Sequence, residues 1–320
     1  MIKIKNFWQN IKQPLLILAP MDDVTDYVFR EIICDVGKPS VLFTEFTNCD
    51  ALFSAGREKQ ITRLKYSERQ RPVVAQIWGS NPINYFKTAQ LIKELGFDGI
   101  DINMGCPDRT VVKNKCGAAL MKNHALTAEI VNAAREGAPN LPLSIKTRIG
   151  FNNIETETWL SFVLQCRLEA LTVHLRTAKE LSKTPAHWEE SLKIIDLRNS
   201  LSPNTLIIGN GDVKSYQEAE IKIKNYGVDG VMIGRGVFND LWIFSKESNN
   251  KEHNMNEMLI IMRKHVDMFK EVWRDSKNFN IMKKFFKVYI NNFPGAAKLR
   301  ENFMNCRNYE ELNKLLISLF

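Results

Sequence analysis

The sequence predicts an α/β chain, a (β/α)8 TIM barrel followed by a small C-terminal helical domain. Three observations lead there. Eight short β-rich runs, each ending in a turn signal, succeed one another between residues 15 and 236. Each is followed by apolar residues at helical spacing, and regular strand–helix alternation means a parallel sheet with right-handed crossovers. After about residue 250 the strands stop and only helical periodicity continues. Eight units over this length match the roughly 250 residues typical of a closed barrel.

The runs cover residues 15–21, 41–46, 73–79, 99–105, 143–150, 170–177, 205–213 and 230–236. After the third, Asn81-Pro82 supplies a cap and a first-turn proline ahead of Tyr85, Phe86, Ala89, Leu91, Ile92 and Leu95. That helix exits through Gly96 into the fourth run, and Asn225-Tyr226-Gly227 repeats the exit later. A doubly wound open sheet would want a glycine-rich first turn, but Ala19-Pro20-Met21-Asp22-Asp23 has no glycine. In the tail, residues 255–274, 281–291 and 309–320 read as helices, with Pro294-Gly295 as a break and the polar stretch 245–256 as a linker. The expected domains are therefore 1–245 and 251–320.

Of the 320 residues, 44% are hydrophobic and 25% charged, a globular balance that excludes a disordered or collagen-like chain. No apolar run approaches the ~20 residues of a membrane helix. The apolar stretch near the N-terminus, residues 15–19, is shorter than a secretory core of roughly 7–15 residues. A soluble, cytoplasmic monomer is expected. Cys34, Cys49, Cys106, Cys116, Cys166 and Cys306 form no CxxC pair, which argues for reduced thiols over a zinc cluster or disulfide framework.

The net charge of +8 is uneven. Residues 251–320 hold 13 Lys and Arg against 8 Asp and Glu, a net of +5. Lys283, Lys284 and Lys287 alternate there with Phe285, Phe286 and Tyr289. Cations beside aromatics can pair with phosphates and stack on bases, which suggests a nucleic-acid partner. The plainer alternative is the solvated lysine face of an amphipathic helix.

Barrel active sites form at the C-terminal ends of the strands. Polar groups gather at that end of nearly every predicted strand: Met21-Asp22, Glu45, Gln76, Asn103 with Cys106, Lys146 with Arg148, His174 with Arg176, Asn210-Gly211-Asp212, and Gly234-Arg235-Gly236. Lys146 and Arg148 are two apart and share a strand face, as do His174 and Arg176. Buried Lys and Arg are rare unless paired, and a bound anion would pair them. The last two strand ends offer glycine-flanked amides beside Arg235, where barrels frequently hold a phosphate.

With these motifs in order, the sequence resembles the tRNA-dihydrouridine synthases, flavin enzymes that reduce a uridine of tRNA. The resemblance rests on Ala19-Pro20-Met21, Gln76-Ile77-Trp78-Gly79, Asp101-Ile102-Asn103-Met104-Gly105-Cys106-Pro107, Lys146-Thr147-Arg148, His174-Leu175-Arg176-Thr177, Asn210-Gly211-Asp212 and Gly234-Arg235-Gly236. Asn-x-Gly-Cys-Pro is the most specific of them, and the tail looks like the family's helical tRNA-binding domain. The resemblance implies FMN in the barrel mouth and NADPH as electron donor. Pro20, Met21 and Asp22 would lie against the flavin, Gln76 and Lys146 at its ring, and His174 nearby. Asn210, Gly211, Asp212, Gly234 and Arg235 would hold its phosphate. Cys106 would be the general acid for C5 of uracil. An unperturbed thiol near 8.5 is only ~3% thiolate at pH 7, so the acid form dominates. Asn103 would contact the substrate base, Arg148 and Arg176 would reach the flavin phosphate or the RNA, and Lys283, Lys284 and Lys287 the tRNA backbone. One departure is Lys113-Asn114-Lys115-Cys116-Gly117, which adds a second thiol to the Cys106 loop. Three rivals remain at this stage: a flavin barrel acting on a free small molecule, such as a dihydroorotate dehydrogenase-like enzyme; a non-catalytic tRNA-binding chaperone; and a structural barrel with no bound cofactor.

Overall fold

In the computed structural model, which describes residues 6–246, 251–291 and 293–319, strand pairing runs almost once around the molecule. The strands are β1 (Leu15–Leu18), β2 (Leu42–Phe43), β3 (Thr47–Asn48), β4 (Val73–Trp78), β5 (Gly99–Asn103), β6 (Leu143–Arg148), β7 (Ala170–His174), β8 (Leu206–Asn210) and β9 (Gly230–Ile233). They pair in parallel in the order β1-β9-β8-β7-β6-β5-β4-β2, with β3 also on β4. A parallel bridge between Ile17 and Val41 joins β1 to the strand-two segment. Ser40 N donates to Leu16 O at 2.8 Å beside it. Helices separate the strands, so the arrangement is the expected (β/α)8 barrel.

The second predicted run is split, and the register says why. Phe43 is opposite Val74, but Thr47 is opposite Ile77. Strand two therefore carries one more residue than its neighbour over this stretch, as a β-bulge does. The Thr44 hydroxyl bridges the gap by accepting from Gln76 N at 3.1 Å. Glu45, in the bulge, is freed from the ladder and turned toward charged neighbours.

Strand alternation explains where the core ends and the chemistry begins. Inward residues low in the barrel are apolar: Leu15, Ile17, Phe43, Val74, Ala170, Ile208 and Met232 form one cluster, sealed at the bottom by Trp8. The outward residues, such as Leu16, Leu18, Ala75, Ile77, Ile100, Ile102 and Ile145, join the helices in a second core. Two residues further along the inward face the identities turn polar. Gln76 pairs in register with Asp101, Asn103 with Lys146, Arg148 with His174, and His174 with Asn210.

The tail begins at Asn254, whose side chain accepts from Glu257 N in a capping box that starts the helix Met255–Trp273. That helix packs on Tyr27–Gly37, with the Phe29 ring 5.8 Å from His265 and 5.0 Å from Phe285. Barrel and tail thus share apolar core. The expected helix 281–291 is a 3-10 turn, Phe279–Met282, running into Lys283–Tyr289. Ala296–Asn305, for which no helix was expected, follows Gly295 at φ +85°, and Tyr309–Ile317 is the last helix of the described residues. Four of the linker positions, 247–250, and Phe320 of the last expected helix lie outside the described residues. Among the described residues no helix is long and apolar enough to cross a membrane.

Candidate active site

A cleft of about 620 Å³ opens at the C-terminal ends of the strands. Its volume is that of a cofactor or small-ligand site. Pro20, Met21, Lys146, His174, Arg176, Asn210, Gly211, Asp212, Gly234 and Arg235 all line it. So do Lys284 and Lys287 from the tail, and Lys214, which the sequence did not single out.

Strand spacing sets the cationic floor. Lys146 Nζ donates to Asn210 Oδ1 at 3.0 Å, and Asn210 Nδ2 donates to Met232 O at 2.7 Å. Burial, then the neighbouring Arg148, pushes Lys146 down from 10.5 to about 8. Arg148 Nε donates to Gly105 O at 2.7 Å and Nη1 to Thr177 O at 3.1 Å. Burial brings Arg148 down to about 10. His174 Nδ1 lies 3.4 Å from Arg148 Nη1. Burial, together with Arg148, Lys146, Arg176 and Arg235, pushes the imidazole well below its ordinary value, so it is neutral at pH 7. Arg176 is ion-paired with Asp212 and gives Nε to Thr184 O at 2.6 Å. Burial would raise Asp212, but Arg176 and the Ala186 amide hold it below the carboxylate range. Asp212 is the one carboxylate among the residues lining the cleft, and Arg176 answers it. The remaining cations favour an anionic ligand.

The glycines fit such a ligand. Gly211 has φ +139°, a conformation that excludes a side chain, and a Cβ there would meet Ala186 Cβ at 2.7 Å. A Cβ on Gly234 would meet only Ala19 and Met21, each at 3.7 Å, and would fill the cleft wall instead. Backbone at Gly234 thus stays bare toward the cleft, as a phosphate-bearing cofactor requires, while Gly211 is demanded by its φ and by Ala186.

Gln76, Asn103 and Cys106 belong to a hydrogen-bonded chain beside this cleft. Ser144 Oγ donates to Asp101 Oδ1 at 2.6 Å, and Gln76 Nε2 donates to Asp101 Oδ2 at 2.7 Å. Gln76 Oε1 then accepts from Asn103 Nδ2 at 3.0 Å. Asn103 Oδ1 accepts from Gly105 N at 3.1 Å and Cys106 N at 3.0 Å, which sets the turn carrying the thiol. Burial pushes Asp101 up to about 6 and raises the Cys106 thiol above its ordinary value. The thiol is therefore held in its acid form. Cys116 is buried, donates to Asn114 O at 3.1 Å, and is pushed up to about 11, chiefly by burial.

On the other side, Asp22 is exposed and ion-paired with Arg63, which also reaches Glu45 at 3.2 Å. Lys277 of the tail meets Asp26 at 3.0 Å and Glu45 at 3.2 Å, and Lys284 lies 3.6 Å from Asp23. Lys283 points elsewhere, its ammonium 5.9 Å from the centre of the Phe279 ring. Arg63 and Lys277 carry no motif signal. Glu45 stood at a predicted strand end, but its role depends on the one-residue bulge.

A parallel barrel with an anion-accepting cleft at the strand C-termini and a thiol turned beside it is the build of a TIM-barrel enzyme with a phosphorylated ligand. The family model described as dihydrouridine synthase matches residues 17–319. The chain is 41% identical over 315 residues to the probable tRNA-dihydrouridine synthase 2 of Bacillus subtilis strain 168, covering 98% of this chain and 96% of that one. It is 40% identical over 315 residues to the probable tRNA-dihydrouridine synthase of Staphylococcus aureus strain COL, covering 98% and 95%. The chain belongs to the dihydrouridine synthase family and is an oxidoreductase of that kind. The fold alone is shared with the 6-hydroxypseudooxynicotine amine oxidase of Pseudomonas geniculata N1. That match has a TM-score of 0.54 at 9% identity over 79% of this chain and 50% of the other.

Proposed function

We propose that this protein reduces a uridine in the D-loop of tRNA to 5,6-dihydrouridine, with FMN as resident cofactor and NADPH as reductant. One observation carries the reading: residues from both edges of the barrel closure and from β6, β7 and β8 line a single anion-accepting cleft, beside a thiol held protonated. FMN, when bound and reduced, supplies the hydride for C6 of uracil.

The chain supplies the rest. Asn210, Gly211, Asp212, Gly234 and Arg235 take the phosphate end. Pro20 and Met21 wall the cleft, while Asp22, next in sequence, is held by Arg63. Lys146 would place positive charge beside an anionic reduced flavin, and Gln76 and neutral His174 would supply polar groups toward its ring. Cys106 donates its proton to C5, and Asn103 both fixes the Cys106 turn and faces the base. Arg148 ties that turn to β6 and β7, and Arg176 stiffens the phosphate end through Asp212. A uracil must leave the folded tRNA to reach this depth, at a cost of a few kcal/mol. Lys283 and exposed cations of the tail, outside the cleft, offset it through backbone phosphates.

The test is dihydrouridine by mass spectrometry in an unmodified tRNA transcript incubated with the protein, FMN and NADPH. Product at one D-loop position is expected. A flavin-loaded protein that binds tRNA but makes no product, from transcript or from tRNA of a strain lacking the enzyme, would overturn the reading.

A further inference from the structure

We infer that Lys284 and Lys287 are the tail's half of the phosphate site, so that barrel and tail together hold the phosphate of the flavin nucleotide. The inference rests on the reading of the cleft as an FMN site.

The helix Lys283–Tyr289 buries Phe285, Phe286, Val288 and Tyr289. This seats it against the barrel and leaves Lys284 and Lys287, one turn apart, on the exposed face. The Phe285 ring meets the Phe238 ring edge-on at 6.2 Å, which pins the helix to the turn Arg235–Phe238. Lys284 and Lys287 consequently line the same cleft as Gly234, Arg235 and Lys214. Lys283, next in sequence, does not. Asp23, at 3.6 Å, is a loose partner for Lys284. Neither Lys287 nor Arg235 has an ion-pair partner among the described residues.

Four cations thus converge on bare glycine backbone without a free carboxylate between them. Like charges so gathered repel unless an anion sits among them. A tRNA phosphate would meet lysines on the open face of the tail. These two, though exposed, line the same cleft as Asn210 and Met232, at the barrel mouth. That geometry suits a terminal phosphate monoester better than a polymer backbone.

The experiment compares FMN with riboflavin, which differ only in that phosphate. Flavin-free full-length protein is titrated by flavin fluorescence, as wild type, as Lys284→Gln/Lys287→Gln, and as Lys283→Gln. The double variant is expected to bind FMN at least about tenfold more weakly while riboflavin changes less than about twofold. Lys283→Gln should leave both unchanged. Both replaced lysines are exposed, and an unshifted unfolding midpoint checks the fold. FMN affinity equal to wild type, with tRNA retention on filters reduced, would assign the lysines to RNA and overturn the inference. Wild-type protein that binds neither flavin would overturn the cleft reading itself, and this inference with it.

Discussion

The Cys106 thiol is held protonated because the fold desolvates it while fixing its backbone. Asn103 takes the amides of Gly105 and Cys106, and Asn103 is itself oriented through Gln76 by the Asp101 carboxylate. Replacing the thiol should leave this chain intact. Cys106→Ala is expected to keep bound flavin and tRNA while turnover falls roughly 10²–10⁴-fold, read by single-turnover dihydrouridine assays. Lys146 makes a different prediction. Its folded value, about 8, lies below the ordinary 10.5, so its half-buried charge costs stability in full below about pH 8. The cost disappears as pH rises to 10.5. Flavin-free Lys146→Met should therefore be more stable than wild type by roughly 1–3 kcal/mol at pH 7. Urea unfolding should show the two converging by pH 10.5; a gap independent of pH would place the charge in solvent. Most of this site was legible from strand ends, because inward positions two apart announce themselves when they are charged. Arg63 and Lys277 were not, since nothing local distinguishes a buried cation from a solvated one.

Among the elements, strand two shows how one residue redirects a fold. The extra residue between Phe43 and Thr47 turns Glu45, 1% exposed, toward Arg63 and Lys277. The Lys277 ammonium also stands 4.4 Å from the Trp273 ring centre, so helix end, bulge and Asp26 meet at one buried junction. Removing one member of such a junction leaves uncompensated charge. Lys277→Ala should cost about 3 kcal/mol, with amide exchange accelerating first in Met255–Trp273. Equal protection in that helix would mean that apolar packing alone fastens the tail. The alternation of strands and helices was readable because periods of 2 and 3.6 differ sharply. The bulge was not, because register depends on the neighbouring strand. Ala296–Asn305 escaped notice because Pro294-Gly295 reads as a stop, while Gly295 at φ +85° begins a new helix.

Over the whole molecule, charge and closure set the behaviour. The excess of +8, with +5 in the tail, makes tRNA binding a counterion-release process. Affinity for tRNA should fall about 10³-fold or more between 50 and 200 mM salt if six or more phosphates are contacted. Riboflavin affinity should hardly change over the same range, and a shallow tRNA slope would confine the contact to a few phosphates. Closure has a consequence of another kind. β1 has β9 on one side, with Leu15 opposite Gly230, and on the other, among the described residues, the short contact of Ser40 and Val41 with Leu16 and Ile17. During synthesis the first strand waits, with one edge bare, until the last has left the ribosome. The pairing that completes the ring has among the longest sequence separations in the chain, which slows folding and prolongs exposure of an apolar edge. A growing chain of this protein is thus a natural client for chaperones until residue 233 is free, whatever the stability of the finished barrel.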